Sequence, residues 1–161
     1  MSRSVAVYPG SFDPVTYGHL DIIERSLKIF DRVIVAVARN SMKNALFDIE
    51  ERVDLIKEVL ADNERAVVDT FDGLLVEYVR SRGAAVIIRG LRAISDFEYE
   101  FQIAQMNRSI AADVETIFMM TSVPFGYLSS SIVKEVGSLN GPIDGFVPPA
   151  VKAALAEKYR G

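Results

Sequence analysis

Five short apolar runs punctuate the chain: Val5–Tyr8, Val33–Ala38, Ala66–Thr70, Ala85–Ile88 and Thr116–Met120. Each is nearly continuous in apolar and β-branched residues, with little alternation. Strands covered on both faces read this way, so the runs predict a parallel sheet with helices on either side. Between them, apolar positions step by three and four. Leu20, Ile23, Leu27 and Phe30 form one stripe, and Ile49, Val53, Ile56 and Leu60 another, each the buried face of a helix. Asp48 with Glu51 reads as a capping pair that opens the second of these, and Ser95 with Glu98 opens a later helix. Pro148-Pro149 precede a last amphipathic segment carrying Val151, Leu155 and Tyr159. No linker, repeat or low-complexity stretch breaks the rhythm. The alternation predicts one domain over residues 1–161: an α/β, Rossmann-like, doubly wound fold on a five-stranded parallel sheet.

The helix after Ser95 is apolar on two sides. Tyr99, Ile103, Met106 and Ile110 form one stripe, while Phe97, Phe101 and Ala104 form a second, nearly opposite. Such a helix needs two packing partners. The sheet supplies one. Either a second copy of the chain or the C-terminal helix supplies the other, and the first alternative predicts a homo-oligomer.

Composition narrows the class of partner. The 161 residues suffice for a substantial core, and half are hydrophobic with a quarter charged, as in ordinary globular proteins. Acidic residues outnumber basic ones by 22 to 18, which argues against a nucleic-acid binder with a broad basic surface. An anionic small molecule remains possible, because a few basic groups in one cleft create a local positive potential. There is no cysteine and His19 is the only histidine, so thiolate chemistry, disulfides and multi-histidine metal sites have no residues to build them. The start lacks the h-region of a signal peptide, and no apolar stretch approaches the ~20 residues of a membrane span. A cytoplasmic location without a membrane partner is expected.

In open parallel sheets, ligands bind beyond the carboxyl ends of the strands, so the residues that follow each strand carry the chemistry. After the first strand comes the segment Pro9 to His19, containing Gly10, Ser11, Phe12, Asp13 and Gly18. After the second come Arg39, Asn40, Ser41, Met42 and Lys43; after the fourth, Arg89-Gly90-Leu91-Arg92; after the fifth, Thr121 to Phe125, Gly126, Tyr127 and the triplet Ser129-Ser130-Ser131. Each piece has a purely structural alternative. Gly10 can serve a tight turn, and Gly18 can serve packing against a neighbouring strand or the close approach of a flat ligand. His19 can be a helix-terminal structural residue or a neutral donor to an anion. Lys43 can be solvated, Arg89 can pair with Asp96 or Glu98, and the serines can be an N-cap cluster. Together on one edge they favour a phosphate site.

With these residues assembled, the sequence resembles the bacterial phosphopantetheine adenylyltransferases of the HxGH nucleotidyltransferase superfamily, over essentially the whole chain. Thr16-Tyr17-Gly18-His19 is similar to the T-x-G-H form of the superfamily motif. Ile88-Arg89-Gly90-Leu91-Arg92, Asp96-Phe97-Glu98-Tyr99-Glu100 and Ser129 to Glu135 resemble blocks more specific to this family. The resemblance implies that ATP and 4′-phosphopantetheine give dephospho-coenzyme A and pyrophosphate, the penultimate step of coenzyme A synthesis. It also implies Mg²⁺ and a hexamer. Carried over motif by motif, Ser11, Lys43, Leu75 and Arg89 would contact the pantetheine substrate. Ser11, Phe12, His19, Gly90, Leu91, Arg92, Glu100, Phe125, Gly126, Tyr127, Leu128, Ser129, Ser130 and Ser131 would contact ATP. The sequence departs from the family at Ser11, where threonine is common, at Phe125-Gly126-Tyr127, where tryptophan is usual, and at Met42 and Asn44 beside Lys43.

The residue inventory suits that chemistry. A phosphate nucleophile is already ionised at neutral pH and needs no general base. The reaction needs two anions aligned and charge stabilised on the α-phosphate, by direct in-line attack without a covalent intermediate. His19 would donate to the α-phosphate region, Lys43 and Arg92 would neutralise phosphate charge, and Arg89 would hold the incoming phosphate or its pantetheine arm. Mg²⁺ would sit mainly on ATP oxygens, with no all-protein metal site. The rivals are transfer to another acceptor, such as nicotinamide mononucleotide or a phosphorylated alcohol, and a nucleotide sensor that binds ATP without turnover.

Overall fold

The computed structural model describes residues 4–40, 43–92 and 94–160, without the side chains of Ile94 and Ser95. The expectations resting on Ser41, Met42 and a Ser95 side-chain cap lie outside the described residues. The elements follow in strict alternation: β1 (Val5–Gly10), α1 (Tyr17–Ser26), β2 (Arg32–Ala38), α2 (Ile49–Val59), β3 (Ala66–Phe71), α3 (Leu75–Ser81), β4 (Val86–Leu91), α4 (Ile94–Ile110) and β5 (Glu115–Met120). A single 3₁₀ turn at Val123–Phe125, α5 (Ser130–Ser138) and α6 (Pro149–Arg160) complete the chain.

All pairings are parallel, and the strand order β3-β2-β1-β4-β5 gives the expected five-stranded doubly wound sheet. One face carries Ala6, Tyr8, Val33, Val35, Val37 and Ile88 under Ile22, Ile23, Ile56, Val133, Val151 and Leu155. The opposite face places Val7, Ile34, Ala36 and Ile87 under Val76 and Val79 of α3 and under Ala111 and Val114. Full burial of such aliphatic side chains contributes roughly 1.5–3 kcal/mol apiece. Asp48 caps α2 through the Glu51 N–H at 2.8 Å, and Glu51 accepts the Asp48 N–H at 2.9 Å, the reciprocal pair its spacing predicts.

The sheet parts where the strand order reverses. β1 is registered with β2 over its full length, from Val5↔Arg32 to Gly10↔Val37, but with β4 only at Ala6↔Val86 and Val7↔Ile87. Pro9 follows directly on this parting. Its missing N–H would otherwise interrupt a ladder in a central strand, and its carbonyl instead accepts Arg89 Nη1 at 3.0 Å. A crevice therefore opens between the carboxyl ends of β1 and β4, the switch point at which open α/β sheets bind ligands.

Two details differ from expectation. Helix α1 closes at Ser26 with Leu27 as C-cap, so Phe30, placed on its stripe, is buried just beyond the helix. Helix α6 packs against α2 and α5 while α4 rests on β4 and β5, so the C-terminal helix does not cover the second apolar side of α4. Tyr99 is 65 % exposed and Met106 60 %, with Phe97, Phe101, Ile103 and Ile110 also open to solvent. Among the described residues no helix is long and apolar enough to cross a membrane.

Candidate active site

The crevice is a cavity of about 490 Å³, walled by the β1–α1 turn, the end of β4, the first turns of α4 and the N-terminus of α5. A second cavity of about 340 Å³ continues it towards α3. The two share Pro9, Gly10, Ser11, Arg89, Tyr99 and Glu100 as a common rim.

His19 stands at the third position of α1, after the N-cap Thr16. Its own N–H donates to Thr16 Oγ1 at 3.4 Å, and the Thr16 N–H donates to His19 Nδ1 at 3.0 Å. This is a capping box in which an imidazole takes the place of the usual Glu or Gln. Because Nδ1 accepts, the ring proton of the neutral imidazole resides on Nε2. Burial, and then the positive fields of Arg92 and Arg89, lower the His19 pKa from 6.5 to about 3. The ring packs edge-on against Phe12, centroids 4.9 Å apart, and lies 6.4 Å from the ring of Tyr8. The structural and chemical alternatives for this residue are thus compatible. One nitrogen caps the helix and the other leaves an N–H for the cavity.

Phe12 has φ of 50°, a left-handed conformation uncommon for a bulky residue, and its ring is buried. It fills the space beside Gly10, where an added Cβ would come within 3.0 Å of that ring. Gly18 faces the cavity, and a Cβ there would meet only ordinary contacts with Thr16 and Leu128, at 3.4 and 3.7 Å. Packing alone does not require the glycine.

Both arginines of the Arg89–Arg92 block line the cavity and are paired. Arg89 Nε and Nη2 donate to the two Glu100 carboxylate oxygens at 2.9 and 2.6 Å, and Nη1 donates to Pro9 O. Of the five guanidinium N–H groups, these bonds engage three and leave two for a ligand. Burial would lower the Arg89 pKa, but the Glu100 carboxylate outweighs it and holds the cation firmly charged. Arg92 Nε donates to Asp96 at 3.2 Å and its Nη1 to Leu128 O at 3.3 Å. The partner of Arg89 is therefore Glu100, not Asp96 or Glu98. Asp96 and Glu100 are four residues apart on the face of α4 turned to the cavity, while Glu98 is exposed.

At the start of α5, Ser129 caps the helix by accepting the Ile132 N–H at 3.1 Å, and Ser130 Oγ donates to Pro14 O at 2.8 Å. With Leu128 and Ser131 they line the cavity, so a helix N-terminus points its amides at it. The cavity also brings together Ser11, Phe12, His19, Gly90 and Glu100 from the sequence-derived set. Leu75 lines the adjoining cavity. Lys43 is exposed and lines neither cavity, and Leu91, Phe125, Gly126 and Tyr127 stand off the larger one. Tyr127 is 65 % exposed against the ring of Phe146. Sequence reasoning named no role for Tyr8, Asp13 or Lys134, which also line the cavity. A tyrosine ending an otherwise aliphatic run, Val5–Tyr8, was the available signal for the first.

Comparison with known proteins gives the family and the fold. A cytidylyltransferase-like family model matches residues 7–136. The phosphopantetheine adenylyltransferase of Geobacter metallireducens is 79 % identical over 99 % of this chain and 98 % of its own length. That of Geobacter sulfurreducens is 76 % identical over 100 % of this chain and 98 % of its own. The chain belongs to the phosphopantetheine adenylyltransferase family. It is accordingly an enzyme of the nucleotidyltransferase class, as its motifs imply. A crystal structure from Vibrio parahaemolyticus, provisionally described as a nicotinate-nucleotide adenylyltransferase, superposes with a TM-score of 0.70. It covers 99 % of this chain and 96 % of its own at 19 % identity, a likeness of fold.

Proposed function

We propose that this chain carries out the reaction of its family, transfer of AMP from ATP to 4′-phosphopantetheine, in the paired cavities at the ends of β1 and β4. The observation that carries the reading is the common rim. One cavity with His19, Arg92 and the α5 N-terminus suits a nucleotide triphosphate, and the other, with Leu75, Phe71 and Ile103, suits a pantetheine arm. Ser11 and Arg89, on the rim, are the groups to hold the acceptor phosphate between them. An acceptor phosphate oxygen attacks the α-phosphorus, a P–O–P bond forms, the α–β bridge breaks and pyrophosphate leaves. No proton transfer is required, which fits a cavity with a neutral histidine and no base–nucleophile pair. The His19 Nε2–H donates to the α-phosphate oxygen on which charge accumulates. Arg92 and the amides at Ser129–Ser131 bind the departing phosphates, with Phe12, Gly90, Glu100 and Leu128 completing the ATP contacts.

Lys43, in the segment after β2 and lining neither cavity here, is assigned by the family resemblance as a further cation that reaches the acceptor phosphate when the substrate binds. Mg²⁺ is expected to arrive on the ATP oxygens, where it would counter phosphate charge. The acidic side chains lining the larger cavity, Asp13, Asp96 and Glu100, already face Lys134, Arg92 and Arg89. The exposed apolar face of α4 supports a homo-oligomer, with a hexamer the assembly implied by the family resemblance, and a cytoplasmic location is part of the same reading. The test is pyrophosphate release with ATP and a panel of acceptors. Release with 4′-phosphopantetheine, and little with nicotinamide mononucleotide or a simple phosphorylated alcohol, is expected. Tight ATP binding with no release for any acceptor would favour a nucleotide sensor.

A further inference from the structure

The turn Ser11–Pro14 is held by charged groups to which the proposed chemistry gives no part. Asp13 is 1 % exposed. Its Oδ1 accepts the Phe47 N–H at 2.9 Å, and its Oδ2 accepts both the Leu46 N–H and Lys134 Nζ, each at 2.9 Å. The two amides belong to the segment that runs from Lys43 into α2. The ammonium stands on α5, one helical turn beyond Ser130. A single carboxylate thus joins the segment carrying Lys43 to the helix whose serines line the nucleotide cavity. Arg52 Nη1 also holds the turn, through Ser11 O at 2.8 Å, as does Ser130 through Pro14 O, but neither reaches both sides.

A carboxylate this deeply placed is costly unless paired and hydrogen-bonded. Burial pushes the Asp13 carboxyl up, but the Lys134 ammonium and the Phe47 and Leu46 amides outweigh it and hold the group below the usual carboxylate range. The Asp13 carboxylate has no donor of its own, so it can accept from both amides at once. An asparagine of the same shape would turn its NH₂ towards the Phe47 N–H, or towards the Leu46 N–H and Lys134 together, and release whatever it faces.

We propose that Asp13 is a positioning residue for adenylyl transfer: by anchoring Leu46 and Phe47 it sets where Lys43 meets the acceptor phosphate, with Lys134 as the compensating charge. This rests on the reading of Lys43 as a ligand of 4′-phosphopantetheine. The test compares D13N, K43A, D13N/K43A and D13N/K134M, each checked for folding by Tm, in pyrophosphate release at saturating ATP. K43A is expected to raise the KM for 4′-phosphopantetheine about tenfold and D13N at least fivefold. The double variant D13N/K43A should be within twofold of the worse single one, since both act through one cation. D13N/K134M, which removes both members of the ion pair, should recover much of the Tm lost in D13N but not the KM. Multiplying effects in D13N/K43A, or recovery of the KM together with Tm, would overturn the inference in favour of a structural ion pair. A raised KM in K43A with a folded D13N at wild-type KM also refutes it while leaving the Lys43 assignment intact. An unchanged KM in K43A refutes that assignment itself, and the linkage with it. Should D13N alone fail to fold, the same cycle with K43A is run in the D13N/K134M background.

Discussion

Acidification is the perturbation that reads the His19 environment most cleanly, because the chain has no other histidine. With a pKa lowered from 6.5 to about 3, the imidazole gains its proton in the folded state far below the pH at which it does so when unfolded. Between those two values the unfolded chain binds more protons. Stability from this group is therefore complete above pH 6.5 and is lost progressively as pH falls towards 3. At pH 5 an unperturbed imidazole is about 97 % protonated and one at this lowered pKa about 1 %. The difference amounts to about 2 kcal/mol of lost stability at pH 5. His19 is partly open to the cavity, and solvent screening reduces this towards ~1 kcal/mol. His19→Gln supplies the control, since Gln at this position can still accept the Thr16 N–H and keep the capping box while removing the titration. Urea unfolding of both proteins at pH 7 and pH 5 isolates the group, because all other titrations cancel in the difference. The wild type should lose about 1–2 kcal/mol more than the variant over this interval. Imidazole nitrogen shifts on the folded wild type should report an Nε2–H tautomer that stays neutral at pH 5. A titration midpoint near 6.5, or a proton on Nδ1, would refute the capping argument and the donor role built on it.

Other expectations follow from named contacts. Glu100→Gln removes the charged half of a bidentate pair that aims Arg89, so the KM for 4′-phosphopantetheine should rise about tenfold or more in steady-state assays, and Arg89→Ala should do the same. An unchanged KM in both would remove Arg89 from the acceptor site. Met106→Glu on the exposed face of α4 should shift sedimentation at micromolar concentration to smaller species, and a wild type that sediments only as monomer would end the oligomer proposal. Leu155→Ala in the core under α6 should cost about 2–5 kcal/mol in chemical unfolding while leaving KM values unchanged.

The sheet was legible because its central strands β1 and β2 are buried on both faces and read as unbroken apolar runs, and the half-buried edge strands β3 and β5 keep most of that pattern. Their ends were less so. β4 continues through Arg89 and Gly90 to Leu91, where functional residues replace the apolar pattern and hide the strand. Helix α3 is a single short stretch, Leu75–Ser81, whose N-cap Leu74 makes no side-chain cap, so no start signal announces it. At the site, strand-end residues pointed to the edge where the crevice opens, and eleven of the seventeen residues named from sequence line the larger cavity: Ser11, Phe12, His19, Arg89, Gly90, Arg92, Glu100, Leu128, Ser129, Ser130 and Ser131. What spacing could not supply was who pairs with whom. Arg89 reaches a second helical turn to Glu100, and Asp13 reaches across the fold to Lys134, over a separation no local pattern records. Thr16-x-x-His19 hid its cap because the motif is looked for with Glu or Gln.

The most direct measurement is pyrophosphate release by wild type and His19→Ala, with ATP alone and with ATP plus 4′-phosphopantetheine. The account predicts release that requires the acceptor, with dephospho-coenzyme A formed in equal amount, and a kcat lowered about a hundredfold or more in His19→Ala with little change in Tm. Release without the acceptor, or near-normal kcat in His19→Ala, would contradict it.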